Sequence, residues 1–428
     1  MTGGLTSAGA TPRALEVVTF GCRLNACESQ AIGARAQAEG LNDTVVFNTC
    51  AVTAEAVRQA RQAIRRARRE RPTARLIVTG CASQIDPQSF EAMNEVDLVV
   101  GNAHKTAKGA LADQGPRVRV SDIIAQGADL PTAAAGPTGR ARAYVAIQTG
   151  CDHRCTFCVI PFGRGNSRSQ TADAVVGQVR ALAGAGHAEV VLTGVDLTSW
   201  GADFAGAPRL GDLVGRILDE VPELHRLRLS SIDAAEIDER LLTLMGSETR
   251  LTPHLHLSLQ CGDDLILKRM KRRHSRRDAL ELIAAVRRVR PETAFGADFI
   301  AGFPTETEGA FANTLALVEE AGLAFLHVFP YSPRPGTPAA RMPQHPVELV
   351  HARARRLRAA GEAALARHLD RQIGHRIVAL VERPMRARAE DFTEIAFDGL
   401  AAPGSLIAGR VSGHDGRHAR LSSWEALK

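Results

Sequence analysis

The sequence predicts an α/β protein in three parts: an N-terminal open parallel α/β sheet, a central (βα)6 partial barrel, and a small C-terminal all-β domain. Three observations carry that reading. Short apolar runs alternate with helix-length stretches over residues 14–127 and again over 143–369. A stretch rich in Gly, Pro and Ala, 128–142, divides the two blocks as a linker. From 371 to 428 the apolar runs shorten and are parted by Gly, Pro and Asp. A chain of 428 residues also exceeds what one compact core serves.

In the first block the runs LEVVTF (15–20), DTVVFN (43–48), ARLIVTG (74–80) and VDLVVG (96–101) read as buried parallel strands. Helices are expected near 25–40 and 53–71. In the second block, strands fall at AYVAIQT, AEVVLTG, RLRLSS, HLHLSLQ, TAFGADFIAG and AFLHVFPYS, from 143 to 332. Helices lie between them near 170–186, 210–220, 236–246, 262–290 (with a break) and 306–322. Six such units make a sheet, open or closed, whose chemistry belongs at the C-terminal ends of its strands. A helix over 346–369 leads to the tail, where HRIVALVE, FTEIAF and SLIAGRV read as strands.

Hydrophobic residues make up 45% and charged residues 23%, as in an ordinary globular protein. No apolar run approaches the roughly 20 residues that cross a bilayer, so no membrane partner is expected. The opening MTGGLTSAGATPRALEVV lacks the basic-then-apolar pattern of a secretory leader, and a cytoplasmic protein is expected. The net charge of +6 is modest, but nearly all the basic residues are Arg. Arg suits phosphate and points to an anionic partner such as nucleic acid, while a GC-rich genome would produce the same bias. Eight cysteines in a reducing compartment imply metal binding or redox chemistry in place of disulfides.

In GCDHRCTFC, Cys151, Cys155 and Cys158 have the spacing C-x3-C-x2-C directly after an expected strand. Thiolates suit iron–sulfur clusters and zinc. Structural zinc wants four protein ligands, and no fourth Cys is near; His153, inside the loop, would strain to close a tetrahedron. The spacing therefore favours a four-iron cluster with one iron left open. Cys22, Cys50 and Cys81 look scattered, yet VVTFGC, VVFNTC and IVTGC each place a Cys just past a strand. In a parallel sheet those ends share the ligand edge, so the three thiols meet. Buried cysteines acting as small hydrophobes are the plainer reading. Repetition at equivalent positions favours a second metal cluster.

At these residues the sequence resembles the radical S-adenosylmethionine superfamily, whose signature is the C-x3-C-x2-C loop. The resemblance implies that the open iron chelates the methionine end of S-adenosylmethionine, and that an electron cleaves the sulfonium to a 5′-deoxyadenosyl radical. It also implies cofactor contacts from Gly194 and Asp196 in LTGVD, and from Asp298 and Gly302, with Pro304, in DFIAGFPTE. Taken alone, a Gly after a strand is more often a plain turn. TFGCRLNACESQ, NTCAVT and TGCASQ resemble the three N-terminal cysteine motifs of methylthiotransferases, with Glu28 and Gln30 as the acid or amide after the first Cys. That likeness implies Cys22, Cys50 and Cys81 as ligands of an auxiliary 4Fe-4S cluster that carries sulfur. The implied cofactors are two 4Fe-4S clusters and S-adenosylmethionine. Cys27 and Cys261 match no family ligand and read as structural.

Within that family, GCRLNACES and FCVIPFGRGNSRS most resemble the threonylcarbamoyladenosine branch. The implied activity is methylthiolation of carbon 2 of N6-threonylcarbamoyladenosine at position 37 of tRNA, in the anticodon stem-loop. S-adenosylmethionine would serve as methyl donor and radical source, with an electron donor and a sulfur source unidentified. That carbon has no acidity for a side-chain base to exploit, which is why a radical cofactor is needed. Isopentenyladenosine in tRNA and a ribosomal-protein aspartate are the alternative substrates; a non-catalytic iron–sulfur RNA-binding sensor is the alternative of another class. Arg58, Arg61, Arg65, Arg68 and Arg69 line one side of a helix, and Lys268, Arg269, Lys271, Arg272, Arg273, Arg276 and Arg277 crowd ten residues. Either run suits RNA phosphates, the second more than the first; a solvated helix face is the plainer reading. The tail loosely resembles a TRAM domain, an RNA-binding β-barrel.

Overall fold

The computed structural model describes residues 14–112, 114–128, 130–131 and 141–427. Most of the expected linker, 128–142, therefore lies outside the described residues, as do residues 1–13.

The first sheet runs in the order β1 (Glu16–Thr19), β2 (Thr44–Thr49), β3 (Arg75–Gly80), β4 (Leu98–Val100) and β5 (Val118–Arg119), all parallel. Its strands are apolar on both faces because both are covered. Val46, Ile77, Leu98 and Val100 pack on Ile32 and Ala36 of α1 (Arg23–Ala38). Val45, Phe47, Leu76 and Val78 pack on the other side with Ile64 of α2 (Ala54–Glu70). The Thr53 side chain caps α2 by accepting from the Ala56 amide, leaving the rest of that helix to Arg. Short helices α3 (Cys81–Ile85), α4 (Pro87–Glu91) and α5 (Ile123–Gln126) complete this part. The strand β5 is two residues long and was not expected.

The central sheet starts with β6 (Arg142–Ala146). A small antiparallel pair follows, β7 (Gln148–Thr149) with β8 (Arg168–Ser169), and between them lies α6 (Ile160–Arg164). Then come α7 (Ala172–Gly184), β9 (Glu189–Thr193), α8 (Leu210–Glu220), β10 (Arg226–Leu229), β11 (Ser231–Ile232), α9 (Glu239–Ser247) and β12 (His254–Gln260). The series ends with α10 (Asp264–Arg269), α11 (Arg276–Val289), β13 (Ala294–Ala301), α12 (Glu308–Glu320), β14 (Phe325–Pro330) and α13 (Val347–Gln372). The strands form two parallel arcs, β10-β9-β6 and β11-β12-β13-β14, which part at Ser230. No pairing joins β6 to β14 among the described residues, so the barrel is open. At the β6 edge stands α1: Leu24 and Cys27 pack on Ala146, and the Cys27 thiol donates to the Tyr144 carbonyl at 3.2 Å.

The third part is a closed five-stranded barrel in the order β15 (Arg376–Arg383), β16 (Arg386–Ala389), β17 (Glu394–Ala396), β19 (Ala419–Ala426), β18 (Leu406–His414). Its core is small: Ala379, Val381, Ile395, Ile407 and Val411 fill it together with Leu369 from the end of α13. Among the described residues no helix is long and apolar enough to cross a membrane.

Candidate active site

A cleft of about 630 Å³ opens between the first sheet and the central barrel, lined from one side by Cys22, Cys50 and Cys81. Each cysteine stands where a strand of the first sheet ends, at the start of α1, after β2 and at the start of α3. The approach is tight. Gly21 has φ +89°, and a Cβ there would lie 2.6 Å from the Cys50 Cβ and 2.7 Å from its Sγ. No other residue fits at that turn. Asn25 braces it, donating to the Phe20 carbonyl at 2.7 Å and the Thr49 carbonyl at 3.0 Å.

Beneath these thiols lies a buried charge cluster that sequence reasoning missed. Glu28, Arg164 and Lys105 are each 1% exposed or less. Arg164 reaches over from α6 and grips Glu28 with both terminal nitrogens, at 2.8 and 3.1 Å, while its Nη2 also meets Asn25 Oδ1 at 2.5 Å. Lys105 Nζ is 2.5 Å from Glu28 Oε2 and donates to Asn102 Oδ1 at 2.8 Å. Asn102 Nδ2 in turn lies 3.7 Å from Cys81 Sγ. Burial pushes the Glu28 carboxyl up, but Arg164 and Lys105 outweigh it and hold it at about 2. Two cations against one acid leave this pocket positive, which suits a group of thiolates.

The loop carrying Cys151, Cys155 and Cys158 stands at the edge of the same cleft, which its Phe157 and Ile160 line. Gly150 sets the loop: at φ +70° its missing Cβ makes room for the Asn166 carbonyl, which any side chain would overlap. Arg272 is buried beside Cys155, donating to its Sγ at 3.6 Å, to Asp233 at 2.7 Å and to the Ser258 carbonyl at 2.8 Å. Burial and the neighbouring Cys81 push Cys50 up to about 12; burial, then Asp196, does the same to Cys151, and burial takes Cys158 to about 11. None of the eight cysteines forms a disulfide. Grouped, buried thiols of this kind become thiolates only when a metal takes them.

Three comparisons bear on the chain. The model of the radical SAM superfamily matches residues 145–318, and that of the uncharacterized protein family UPF0004 matches 14–101. A threonylcarbamoyladenosine tRNA methylthiotransferase of Rickettsia prowazekii is 46% identical over 93% of this chain and 94% of its own length. The chain belongs to the radical S-adenosylmethionine methylthiotransferases. A homologue of the same name from Aquifex aeolicus is 34% identical over 91% of the chain and 98% of its own length. A tRNA-2-methylthio-N(6)-dimethylallyladenosine synthase of Erythrobacter litoralis is 33% identical over 93% and 94%. In fold, the chain is similar to a radical S-adenosylmethionine methyltransferase, TsrM, of Kitasatospora setae, with TM-score 0.54, 15% identity and 77% of each chain covered.

The family's cofactors, S-adenosylmethionine and 4Fe-4S clusters, suit what is present: two sets of three free thiols, each beside a buried guanidinium. Of the four other residues expected at the cofactor, Gly194 and Asp298 line the cleft. Asp196 does not: it is buried, with Ser199 Oγ at 2.6 Å, Thr198 Oγ1 at 3.1 Å and His153 Nε2 at 2.7 Å. Its backbone amide and that of Val195 are held by Gln148 Oε1, at 2.9 and 3.0 Å, so the Gly194 turn is fixed from behind. Gly302 is absent from the lining as well. Its φ is +77°, and its Cβ would meet Val350 of α13 at 2.8 Å, so that glycine serves helix packing. His153 Nε2 lies 2.7 Å from Asp196 and 3.9 Å from Glu236, and a ring nitrogen of His153 stands within 4.8 Å of the Cys151 thiol. Cys261 is buried with its thiol 3.3 Å from Thr314 Oγ1, a structural position.

The far wall of the cleft carries a second constellation with no signal in the sequence. His256 Nε2 and His327 Nδ1 lie 2.9 and 3.2 Å from the same Asp298 oxygen, their rings 4.4 Å apart. Burial raises the Asp298 carboxyl, but the two imidazoles outweigh it and keep it well below the usual range. Phe157, Ile160, Ile300, Phe329 and Tyr331 make the rest of that side apolar.

Proposed function

We propose that this chain methylthiolates carbon 2 of N6-threonylcarbamoyladenosine at position 37 of tRNA, acting in the cytoplasm. The observation that carries the reading is one 630 Å³ cleft lined by the free thiols Cys22, Cys50 and Cys81 and, beside the second triplet of free thiols, by Phe157 between Cys155 and Cys158. In this reading Cys151, Cys155 and Cys158 hold the cluster that binds S-adenosylmethionine, and Cys22, Cys50 and Cys81 hold the auxiliary one. Bound there, these groups supply what no side chain can: a carbon-centred radical, a methyl group and transferable sulfur. The chain's own part is placement. Gly194 sets its backbone on the cleft wall, close packed against Gln148, and Asp298 offers a carboxylate fixed by two imidazoles. The apolar wall of Phe157, Phe329 and Tyr331 gives a flipped base a dry surface to lie on and keeps water from a reactive intermediate.

The threonylcarbamoyl substrate is supported by the relative at 46% identity, against 33% for the dimethylallyl one, and by the polar His256–Asp298–His327 face, which suits a hydrogen-bonding side chain better than an isoprenoid. A one-electron reductant and a sulfur source must come from outside the chain. The test is mass spectrometry of tRNA nucleosides from a strain lacking the gene. The 2-methylthio form of threonylcarbamoyladenosine should vanish and return on complementation; loss of the isopentenyl analogue alone refutes the substrate. Purified, anaerobically reconstituted protein should release 5′-deoxyadenosine from S-adenosylmethionine, and a sensor would release none.

A further inference from the structure

Beside the mouth of the cleft lies a second concavity, of about 390 Å³, lined by Arg58, Arg61 and Arg65 of α2 and by Arg334 from the segment after β14. The two spaces adjoin. Thr53, Ala56 and Ser332 line the cleft, Ala54 lines the groove, and the Ala54 amide donates to Ser332 Oγ at 3.3 Å across the boundary. From its rise of 1.5 Å per residue, α2 sets Arg58, Arg61 and Arg65 about 4.5 and 6 Å apart along its axis, a ladder of cations leading out of the cleft.

These guanidiniums are sparingly used by the protein itself. Arg58 forks Glu55 at 2.6 and 2.8 Å, on the surface. Arg61 has Asp86 only at 3.9 Å and lies over the Phe90 ring at 5.4 Å; Arg65 has Glu95 only at 3.9 Å. The Nε atoms of Arg61 and Arg334 are covered yet find no acceptor among the described residues. Buried donors without partners are rare in a finished structure. The other basic run contrasts with this. Arg272 is spent on Asp233 and Cys155, Arg273 on Glu236, Arg276 on Glu320 and two carbonyls, and Arg269 on Thr305. In the run that sequence favours for RNA, Arg269, Arg272, Arg273 and Arg276 are thus committed to partners of the protein itself, whereas Arg61 and Arg65 of the other run line the groove beside the cleft with acids no nearer than 3.9 Å.

We propose that the groove between α2 and Arg334 seats the RNA backbone next to the modified adenosine, so that Arg61, Arg65 and Arg334 neutralise flanking phosphates while the base enters the cleft. This rests on the tRNA reading above and gives that reading a docking surface separate from the C-terminal barrel. The geometry suits a polyanion specifically: the cations are in a row, they are fixed by a helix, and their row ends where the reacting base must go.

The test is binding of the cluster-loaded protein to a fluorescent anticodon stem-loop carrying threonylcarbamoyladenosine, measured over a range of salt. Arg61→Ala/Arg65→Ala should lower the slope of log affinity against log salt by about 1.4–1.8. At 0.1 M salt that corresponds to a loss of roughly 25- to 60-fold. Arg277→Ala, whose guanidinium pairs with Glu281 at 3.3 Å on the other run, should bind as wild type. Iron content of each variant checks that the fold and clusters survive. A wild-type slope in the double variant overturns the groove while leaving the tRNA reading intact. A wild-type protein that prefers this stem-loop to no unrelated hairpin brings down the tRNA reading, and the groove with it.

Discussion

Replacing Glu28 by Gln should loosen the ground on which Cys22 and Cys50 stand. The substitution keeps shape and removes one charge, leaving Arg164 and Lys105 buried against each other with no acid between them. Two routes give the cost. A carboxyl held at about 2 instead of its ordinary 4.5 stabilises the folded state by about 3 kcal/mol at neutral pH. Breaking a buried ion pair by removing one partner costs about 3–5 kcal/mol in general. The assay is hydrogen exchange of amides at this end of the first sheet, such as Phe20, bonded to the Asn48 carbonyl at 2.9 Å, and Ala26, bonded to the Cys22 carbonyl at 3.1 Å. A loss of about 3 kcal/mol speeds their exchange roughly 100-fold, while amides of the C-terminal barrel should not change. The sign with pH is fixed by the depressed carboxyl. Its contribution is full above about 4.5 and disappears as pH falls towards 2, so wild type and variant should converge on acidification. Wild-type exchange at Phe20 and Ala26 in the variant at pH 7 would refute the account, because the cluster would then carry no net stabilisation.

Cys22→Ala should still cleave S-adenosylmethionine but insert no sulfur, whereas Cys151→Ala should do neither; equal loss of cleavage in both, with folding intact, contradicts the division of labour. Gly150→Ala should lose the cluster of the Cys151 loop, halving iron per chain, because the new Cβ overlaps the Asn166 carbonyl; full iron content would show that the loop relaxes. Arg272→Gln removes a charged N–H from Cys155 Sγ, and electron-paramagnetic titration should find that cluster's potential lower by about 60 mV, one tenfold step for a single electron. An unchanged potential would leave Arg272 as a brace for Asp233 alone.

Cys22, Cys50, Cys81 and Cys151 were legible because each follows an apolar run, which a parallel sheet brings to one edge, and Cys155 and Cys158 by their spacing from Cys151. What surrounds them was not. Arg164, Lys105, Asn102, His256 and His327 come from four separate segments and are residue types that usually face water. Only the closed fold makes Lys105 a buried partner of Glu28. Gly302 shows what sequence leaves out in another way. A glycine after a strand suggests close approach to a cofactor, and the fold adds a left-handed turn whose Cβ would meet Val350 of α13. The strands β16 and β19 escaped notice because RARA and ARLSSWEA keep their inward positions small or few, with Ala387, Ala389, Ala419 and Leu421 as the buried ones. On these two strands the buried positions are alanine but for Leu421, and alanine carries little hydrophobic signal.

The lower end of the open barrel decides how the C-terminal part should be regarded. At the strand starts Glu189 sits among three arginines, bonded by Arg228 at 2.7 and 3.2 Å with Arg142 and Arg226 each at 3.8 Å. One acid cannot hold three buried guanidiniums. The C-terminal barrel supplies the rest: the Glu390 and Ala389 carbonyls accept from Arg228, the Glu390 carboxylate is 3.2 Å from Arg226, and Glu382 meets Arg142. Phe392 closes the end, stacked on His254 at 4.7 Å, with Arg142, Arg228 and Arg388 at 4.4–5.5 Å from its ring and Arg23, next to Cys22, at 5.5 Å. Each such cation–π contact is worth about 0.5–2 kcal/mol, and here they join all three parts of the chain at one ring. Deleting residues from 371 onwards would therefore strip the counter-charges and the plug from the barrel at the same time as any RNA contact. Loss of activity on truncation is expected from barrel energetics alone, so the RNA role of the C-terminal part has to be sought in substitutions on its outer face.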